Sequence, residues 1–361
     1  MNNSTISFTS AGLTEAFLQE AARHPGLFLA RVSSQHKDLY RVITVSGEMR
    51  AEPSGKMGYL ANDLPDYPAV GDWVMVDRLN DDGGNAIIRH ILPRRTALTR
   101  KAAGTAVHSQ IIAANIDTVF ICMSLNHDFN LRRLERYLAV AWDGGAVPVV
   151  VLTKADLCKE LETLLSEIRH AAIGIDILTT TSRSEAGYSA VATYLQPGKT
   201  VAFIGSSGVG KSTLINHLLG NDALATQEIG PEDKGRHTTT FRQLITLPNG
   251  SVVIDTPGMR ELQLDSADLS QTFADIDELS SHCRFTDCEH EREPGCAVTA
   301  AVAAGQLSAD RLRSYLKLQT EIGYQGLSSR QLEQEKITRM MSGMGGVKQA
   351  RAYAKEKNRR R

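Results

Sequence analysis

The sequence predicts an α/β nucleotide-binding fold, with a small β-barrel before it and a cysteine-rich helical module after it. Three observations predict this. Residues 201–220 read as strand, glycine loop and helix in that order. From Ala114 onward, strand-length apolar runs alternate with amphipathic helical stretches, as a parallel sheet covered by helices requires. Three cysteines and a histidine crowd into residues 283–296.

The chain has 361 residues and a net charge of −1. That length accommodates two or three domains. No apolar run approaches the roughly 18 residues of a membrane span, and MNNSTISFTS lacks the basic-then-apolar order of a signal peptide. No membrane partner is expected. Five cysteines, three of them clustered late, point to metal ligation in a reducing cytoplasm rather than to disulfides. Near-neutral charge means that any nucleic-acid contact must come from local basic patches.

The organising stretch starts with Val201–Ile204, a buried-strand run. Gly205-Ser206-Ser207-Gly208-Val209-Gly210-Lys211-Ser212 then fits G-x-x-x-x-G-K-[ST], and Thr213–Leu219 opens a helix. The glycines let backbone N–H groups converge on phosphate oxygens, and the helix N-terminus adds its dipole. Lys211 is expected to reach the β/γ-phosphates and Ser212 to ligate Mg²⁺. An ordinary glycine turn is the alternative; the Lys-Ser pair and the strand–helix context weigh against it.

Residues 1–25 carry no readable chemistry and suggest a short helix or an arm around Thr14–Arg23. Residues 26–103 hold short strands at Phe28–Val32, Leu39–Val45, Trp73–Val76 and Ile87–Leu92, which fit a small barrel of the OB type. Trp73, Tyr40 and Tyr59 could stack on bases, but core is the favoured reading. LPRRTALTRKAAG, from Leu92 to Gly104, reads as a basic linker. Its Arg94, Arg95, Arg100 and Lys101 either touch phosphate or are simply solvated.

Residues 104–275 alternate. Ile116–Leu125 reads as a buried strand, Asn130–Trp142 as a helix with Leu131, Leu134, Tyr137 and Leu138 on one face, and Val147–Leu152 as a second strand. That strand runs into Thr153-Lys154-Ala155-Asp156. A carboxylate at Asp156 can accept from both N1–H and the 2-amino group of guanine, which adenine cannot supply. Lys154 would lie along the base. Asp at a strand end is often just a helix cap, but a phosphate loop in the same chain favours the guanine reading. A helix through Leu157–Ala172 and a strand near Ile175–Leu178 follow. Thr181-Ser182-Arg183 is then a second base-contacting loop or a plain turn.

After the glycine loop, Ala223–Asp233 is turn-prone and leads to Gly235-Arg236-His237-Thr238-Thr239-Thr240. Thr239 is the preferred switch threonine for Mg²⁺ and γ-phosphate; Thr238 and Thr240 stay open. Ser251–Ile254 ends in Asp255-Thr256-Pro257-Gly258. D-x-x-G after a strand is the turn that senses Mg²⁺ through Asp255 and the γ-phosphate through the Gly258 N–H. Met259 stands where many GTPases keep a water-orienting Gln. A thioether cannot do that, and His237 is the nearest candidate.

The motif order is rotated. T-K-x-D precedes the glycine loop and D-x-x-G, whereas in an ordinary GTPase it follows both. A permuted chain builds the same sheet, because domain termini often lie close together. The chain then leaves the GTPase domain just after D-x-x-G and enters residues 276–361. Cys283-x4-Cys288-x-His290-x5-Cys296 can fill a tetrahedral Zn²⁺ site, closed and therefore structural. His282 competes weakly; Cys122 and Cys158 lie elsewhere. Residues 308–324 read as a helix. The tail from Val347 to Arg361 holds seven Lys/Arg against one Glu, which favours an RNA phosphate contact over a solvated tail.

Taken together, TKAD before GSSGVGKS before GRHTTT before DTPG, then C-x4-C-x-H-x5-C, resembles the circularly permuted, small-subunit-dependent GTPases of the RsgA/YjeQ family. The likeness runs from about Gly26 to the C-terminus. It implies an OB barrel, a permuted P-loop GTPase domain and a zinc domain. It implies GTP hydrolysis to GDP and phosphate, stimulated by the small ribosomal subunit, late in that subunit's maturation. It implies rRNA contact, one structural Zn²⁺, Mg²⁺ with GTP, and hydrolysis that promotes release. The family's G-x-H-T-T histidine, here His237, is implied in hydrolysis beside Lys211 and Thr239. A cytoplasmic monomer is expected. A P-loop ATPase or kinase, and an RNA-binding zinc protein with a vestigial nucleotide site, are the alternatives; Asp156 argues against the first, Lys211, Ser212 and Asp255 against the second.

Overall fold

The computed structural model describes residues 11–323, apart from 37–38, 62–63, 81–82, 102–108, 127, 182–185, 221–223, 225–241, 260–263 and 265–266. A short helix, α1 (Glu15–Ala21), opens it. Five strands then close a barrel: β1 (Phe28–His36), β2 (Leu39–Thr44), β3 (Gly47–Pro53), β4 (Trp73–Val76) and β5 (Ala86–Ile91), with helix α2 (Gly55–Leu60) after β3. The barrel order is β1-β2-β3-β5-β4, and β4 returns to β1. Only the β3–β5 pair is parallel. Val32, Val42, Met49, Ala51, Val74 and Ile88 fill it. β3 went unread in the sequence because GEMRAEP has no apolar run; its partners β2 and β5 hold it in place.

Trp73 and Tyr40 are buried at 0% and 2% exposure, Tyr40 in the barrel core and Trp73 in the larger core with Phe17, whereas Tyr59 is 88% exposed. Phe17 of α1 packs its ring 5.8 Å from Trp73, which docks the N-terminal helix on the barrel.

The linker reading of residues 92–104 is corrected. Ala97–Lys101 is a strand, β6, paired antiparallel with β7 (Ser109–Ala114). Arg94 is not solvated either: its guanidinium clasps the fully buried Asp72 at 2.7 and 2.8 Å. Alternation was masked here by the arginines, of which Arg94 and Arg95 are met by Asp72 and Asp117.

The nucleotide-binding part is a sheet flanked by helices. Its elements are β8 (Thr118–Ser124), α3 (Leu131–Asp143), β9 (Val147–Thr153), α4 (Leu161–Ala171), β10 (Ile177–Thr179), α5 (Ala186–Ala192), β11 (Thr200–Ile204), α6 (Lys211–Leu219), β12 (Gln243–Thr246) and β13 (Val252–Asp255). The order is β10-β9-β8-β11-β13-β12, parallel except for β12. Strands buried on both faces explain the continuous apolar runs of β8, β9 and β11. Asn130 caps α3, its side-chain oxygen accepting from the Arg133 N–H at 2.9 Å. β12 also pairs with β1 at Ser34–Gln243, so barrel and nucleotide sheet are hydrogen-bonded together.

Three helices complete the described chain: α7 (Ala274–Ser280), α8 (Ala297–Ala303) and α9 (Ala309–Gly323). Arg311 of α9 is 5% exposed and reaches Glu135 of α3 at 3.0 Å and Asp275 of α7 at 2.6 Å. It fixes the C-terminal helices to the nucleotide-binding part.

Candidate functional site

The glycine loop turns between β11 and α6, at the carboxyl ends of the parallel strands, where open α/β sheets bind ligands. Gly205 has φ +145°, and a Cβ there would stand 2.3 Å from the Cys122 carbonyl oxygen of β8. Only glycine lets the loop cross the neighbouring strand so closely. Lys211 is buried at the start of α6, and its Nζ donates to the Gly205 and Ser206 carbonyls at 2.9 Å each. Burial lowers its pKa, while Cys122 and Asp255 act the other way. Asp255, at the end of β13, is fully buried. Lysine, Ser212 and Asp255 thus face one loop, a set that could hold phosphate and a divalent cation.

The D-x-x-G turn lies on that loop. A Cβ on Gly258 would come 2.5 Å from the Ser207 Cα. The next residue, Met259, donates its N–H to the Gly205 carbonyl at 3.0 Å, and Thr256 Oγ1 donates to the Phe203 carbonyl at 2.6 Å. The Met259 side chain is buried, so it belongs to the core.

The T-K-x-D turn meets the loop from the other side. Thr153 Oγ1 donates to the Val209 carbonyl, and Lys154 Nζ to the Gly208 carbonyl at 3.0 Å. Lys154 takes a left-handed backbone, φ 56°. Asp156 accepts from Thr181 Oγ1 at 2.7 Å, and the Ala155 N–H donates to the Thr180 carbonyl at 3.1 Å, so residues 153–156 and 180–181 form one ledge. Thr213 is exposed on α6. Ser182, Arg183, His237, Thr238, Thr239 and Thr240 lie outside the described residues.

Two residues of α3 belong to this neighbourhood without any motif to flag them. Arg133 donates to the Ser206 hydroxyl and pairs with Asp128 at 3.0 Å. Tyr137, fully buried, donates to the Met259 carbonyl. Tyr137 is legible as a core position but its hydroxyl's partner is 122 residues away.

The four residues of the cysteine cluster converge, every ligand atom within 4.8 Å of the others. Cys283 and Cys296 Sγ are 3.9 Å apart and lie 3.7 and 3.5 Å from His290 Nδ1. A tetrahedron with arms of about 2.3 Å has edges of about 3.8 Å, so the spacing fits one metal ion. His290 Nε2 lies 3.0 Å from the Ser280 hydroxyl, which donates on to the Ile276 carbonyl at 2.6 Å. Nε2 is therefore the protonated nitrogen and Nδ1 is left for a metal. Cys296 opens α8; burial pushes its thiol up, but the Thr299 hydrogen bonds and His290 bring it down to about 6. His282 points instead at the Glu278 carbonyl, 3.1 Å away.

The comparisons with known proteins agree with this geometry. A family model described as RsgA GTPase matches residues 91–265. A protein of Lactiplantibacillus plantarum, small ribosomal subunit biogenesis GTPase RsgA 2, is 53% identical over 96% of this chain and 98% of its own length. The chain belongs to the RsgA GTPase family. It is accordingly a GTPase, an enzyme that hydrolyses GTP. A family relative from Methanosarcina acetivorans, small ribosomal subunit biogenesis GTPase RsgA, is 43% identical over 94% of the chain and 92% of that protein. The crystal structure of YjeQ from Thermotoga maritima superposes with a TM-score of 0.59 at 27% identity, covering 82% of this chain and 98% of that one. YloQ, described as a circularly permuted GTPase, gives 0.57 at 25% identity, covering 83% and 96%. The 96% matched by the first relative exceeds what residues 26–361 supply, so the family likeness reaches upstream of Gly26. A model described as ABC transporter also matches residues 188–352. That span holds the glycine loop but not the T-K-x-D turn.

Proposed function

We propose that this GTPase acts in late maturation of the small ribosomal subunit, binding its rRNA, and that the subunit stimulates hydrolysis of GTP to GDP and phosphate. Relatives at 53% and 43% identity carry the name small ribosomal subunit biogenesis GTPase. The single observation that carries the site is the seating of T-K-x-D on the glycine loop, Lys154 Nζ on the Gly208 carbonyl at 3.0 Å. A base-reading carboxylate and a phosphate cradle thereby share one mouth.

The roles we assign are those the motifs suggest, and the loop contacts of Thr153, Lys154 and Lys211 support the ones built on these residues. Residues Gly205 to Thr213 cradle the phosphates with main-chain N–H groups, and Lys211 exchanges its loop carbonyls for phosphate oxygens. Asp156 accepts from the guanine edge, Lys154 lies along the base, and Thr153, Thr181 and Ser182 shape the base ledge. Ser212, Asp255 and Thr239 hold Mg²⁺, which neutralises phosphate charge when bound. The Gly258 N–H meets the γ-phosphate, and His237 serves the attacking water. Cys283, Cys288, His290 and Cys296 hold one structural Zn²⁺. The division into residues 1–25, 26–103, 104–275 and 276–361, the basic tail's contact with rRNA, cytoplasmic residence and a monomeric state belong to the same reading.

GTP turnover measured alone, with purified small subunits and with large subunits tests it. Stimulation by small subunits only is the expected result; equal stimulation by both, or by neither, counts against the reading. His237→Ala should slow stimulated hydrolysis more than GTP binding. Equal loss of both points to a structural histidine.

A further inference from the structure

The stretch 94–101 offers four cations, and the structure sorts them by partner. Arg94 is clasped by Asp72 at 2.7 Å, and Arg95 meets Asp117 at 3.1 Å. The side chain of Lys101 is outside the described residues. Arg100 is different. It stands on β6 directly across from Gln110 of β7, and its NH2 donates to Gln110 Oε1 at 3.2 Å. Its Nε–H is buried and has no hydrogen-bond partner among the described residues.

A second guanidinium arrives at the same atom. Arg242, one residue before β12, donates from NH2 to Gln110 Oε1 at 3.0 Å and from NH1 to the Ile111 carbonyl at 3.1 Å. Two half-buried cations therefore share one neutral acceptor, and no carboxylate pairs with either among the described residues. Burial lowers the pKa of both, and Arg100 lowers Arg242 further, to about 10, with no acidic group acting against it. Other buried arginines here are fully met: Arg94 by Asp72, Arg311 by Glu135 and Asp275, and Arg31, without a carboxylate in contact, by the Gly71, Ala11 and Asn115 carbonyls and the Thr200 hydroxyl, with Asp117 and Asp72 acting in its favour. Holding like charges together without a counter-charge costs stability. An anion seated between the two guanidiniums supplies the missing charge.

We propose that Arg100 and Arg242, oriented by Gln110, form a phosphate-binding site that takes a backbone phosphate of RNA. Each guanidinium carries five N–H donors in a planar fork. Few of the ten are used by Gln110 and Ile111, and the fork geometry matches a tetrahedral oxyanion. The site lies where the β6–β7 hairpin meets β12, the strand that joins the nucleotide sheet to the barrel. A phosphate seated there touches both parts of the molecule at once. The choice of RNA as the polymer rests on the proposed rRNA-binding reading; the anion site itself does not.

The test uses the full chain, saturated with a non-hydrolysable GTP analogue so that the glycine loop is filled. The variants are Arg100→Gln, Arg242→Gln and Gln110→Glu, the last placing a carboxylate between the two cations. Binding of an unstructured single-stranded RNA oligomer and of purified small subunits is titrated against salt, and melting is followed with and without inorganic phosphate. Each Arg→Gln change should weaken RNA binding and lower the slope of log K against log salt by about 1, with melting unchanged or raised. Gln110→Glu should raise melting and weaken RNA binding together. Lowered melting with an unchanged salt slope overturns the proposal, as does stabilisation by inorganic phosphate without any change in RNA binding. If small subunits fail to stimulate turnover while the variants still change the RNA salt slope, the ribosomal reading falls and the phosphate site stands.

Discussion

The Tyr137 hydroxyl donates to the main-chain carbonyl of Met259, the residue that follows the D-x-x-G turn. This ties helix α3 to the segment assigned to γ-phosphate sensing. The same helix carries Glu135, which pairs with Arg311 of α9, and Arg136, which pairs with Glu321 at 2.6 Å. One face of α3 thus meets the nucleotide loops and another meets the C-terminal helices. Helix α3 touches both the D-x-x-G segment and the C-terminal helices.

Tyr137→Phe leaves the ring in place and strips the Met259 carbonyl of its donor. A buried acceptor left unmet costs about 1–3 kcal/mol, so melting should fall while the fold persists. The pH arm follows from burial, which pushes the tyrosine up to about 12. The folded state keeps the phenolic proton where the unfolded chain releases it near pH 10. Stability therefore falls as pH rises from about 10 to 12, and the variant should lose that part of the alkaline decline. An unchanged alkaline profile would deny that the phenol is buried, and unchanged melting near neutral pH would deny the hydrogen bond.

Gly258→Ala should cost GTP turnover out of proportion to its size. Its Cβ would meet the Ser207 backbone at 2.5 Å, and neither partner is a flexible side chain. The turn must lift from the loop. Single-turnover hydrolysis measured beside nucleotide affinity checks this, and wild-type rates in the variant would show that the turn need not touch the loop.

Asp156→Asn should weaken GTP and admit xanthosine triphosphate, whose base carries a carbonyl where guanine has its amino group. The energetic lever is a polar pair left unmatched, which discriminates strongly at a hydrogen-bonding site. Competition binding with both nucleotides reads it out. Base preference that stays put would remove Asp156 from the base ledge.

Arg311→Met should separate the C-terminal helices from the nucleotide-binding part. Removing one partner of a buried ion pair costs up to about 3–5 kcal/mol, and Arg132, which also meets Glu135 at 2.5 Å, should keep the loss below that ceiling. Glu135 is fully buried and so cannot turn to water. Limited proteolysis and melting should show the loss, and Glu135→Gln in the same background should recover part of it. Additive losses in the double variant would mean that the two residues do not act as a pair.

Removing metal with a chelator should loosen the module built on Cys283, Cys288, His290 and Cys296. Restoring zinc should recover melting, and metal analysis should give one ion per chain. A module that melts identically with and without metal would make the cluster four ordinary core residues.

The chemistry of this protein was written locally, and local writing is legible. A glycine loop needs its glycines, lysine and serine contiguous, and a closed metal site needs ligands close together, so both appear as spacing. The helix of residues 131–143 was readable from its period, and the buried strands from unbroken apolar runs. The strand at 47–53 and the strand at 97–101 were not, because their residues are polar and only their partners make them strands. The same holds for charge. Nothing in the run of arginines from 94 to 100 says that Arg94 meets Asp72 while Arg100 shares Gln110 with Arg242. Nor does anything say that Tyr137 of a core-facing helix reaches Met259. The order of the sequence determined which chemistry is present. Which charges are satisfied, and which helix links the nucleotide turn to the metal module, was decided only by folding, since those contacts join residues more than a hundred positions apart.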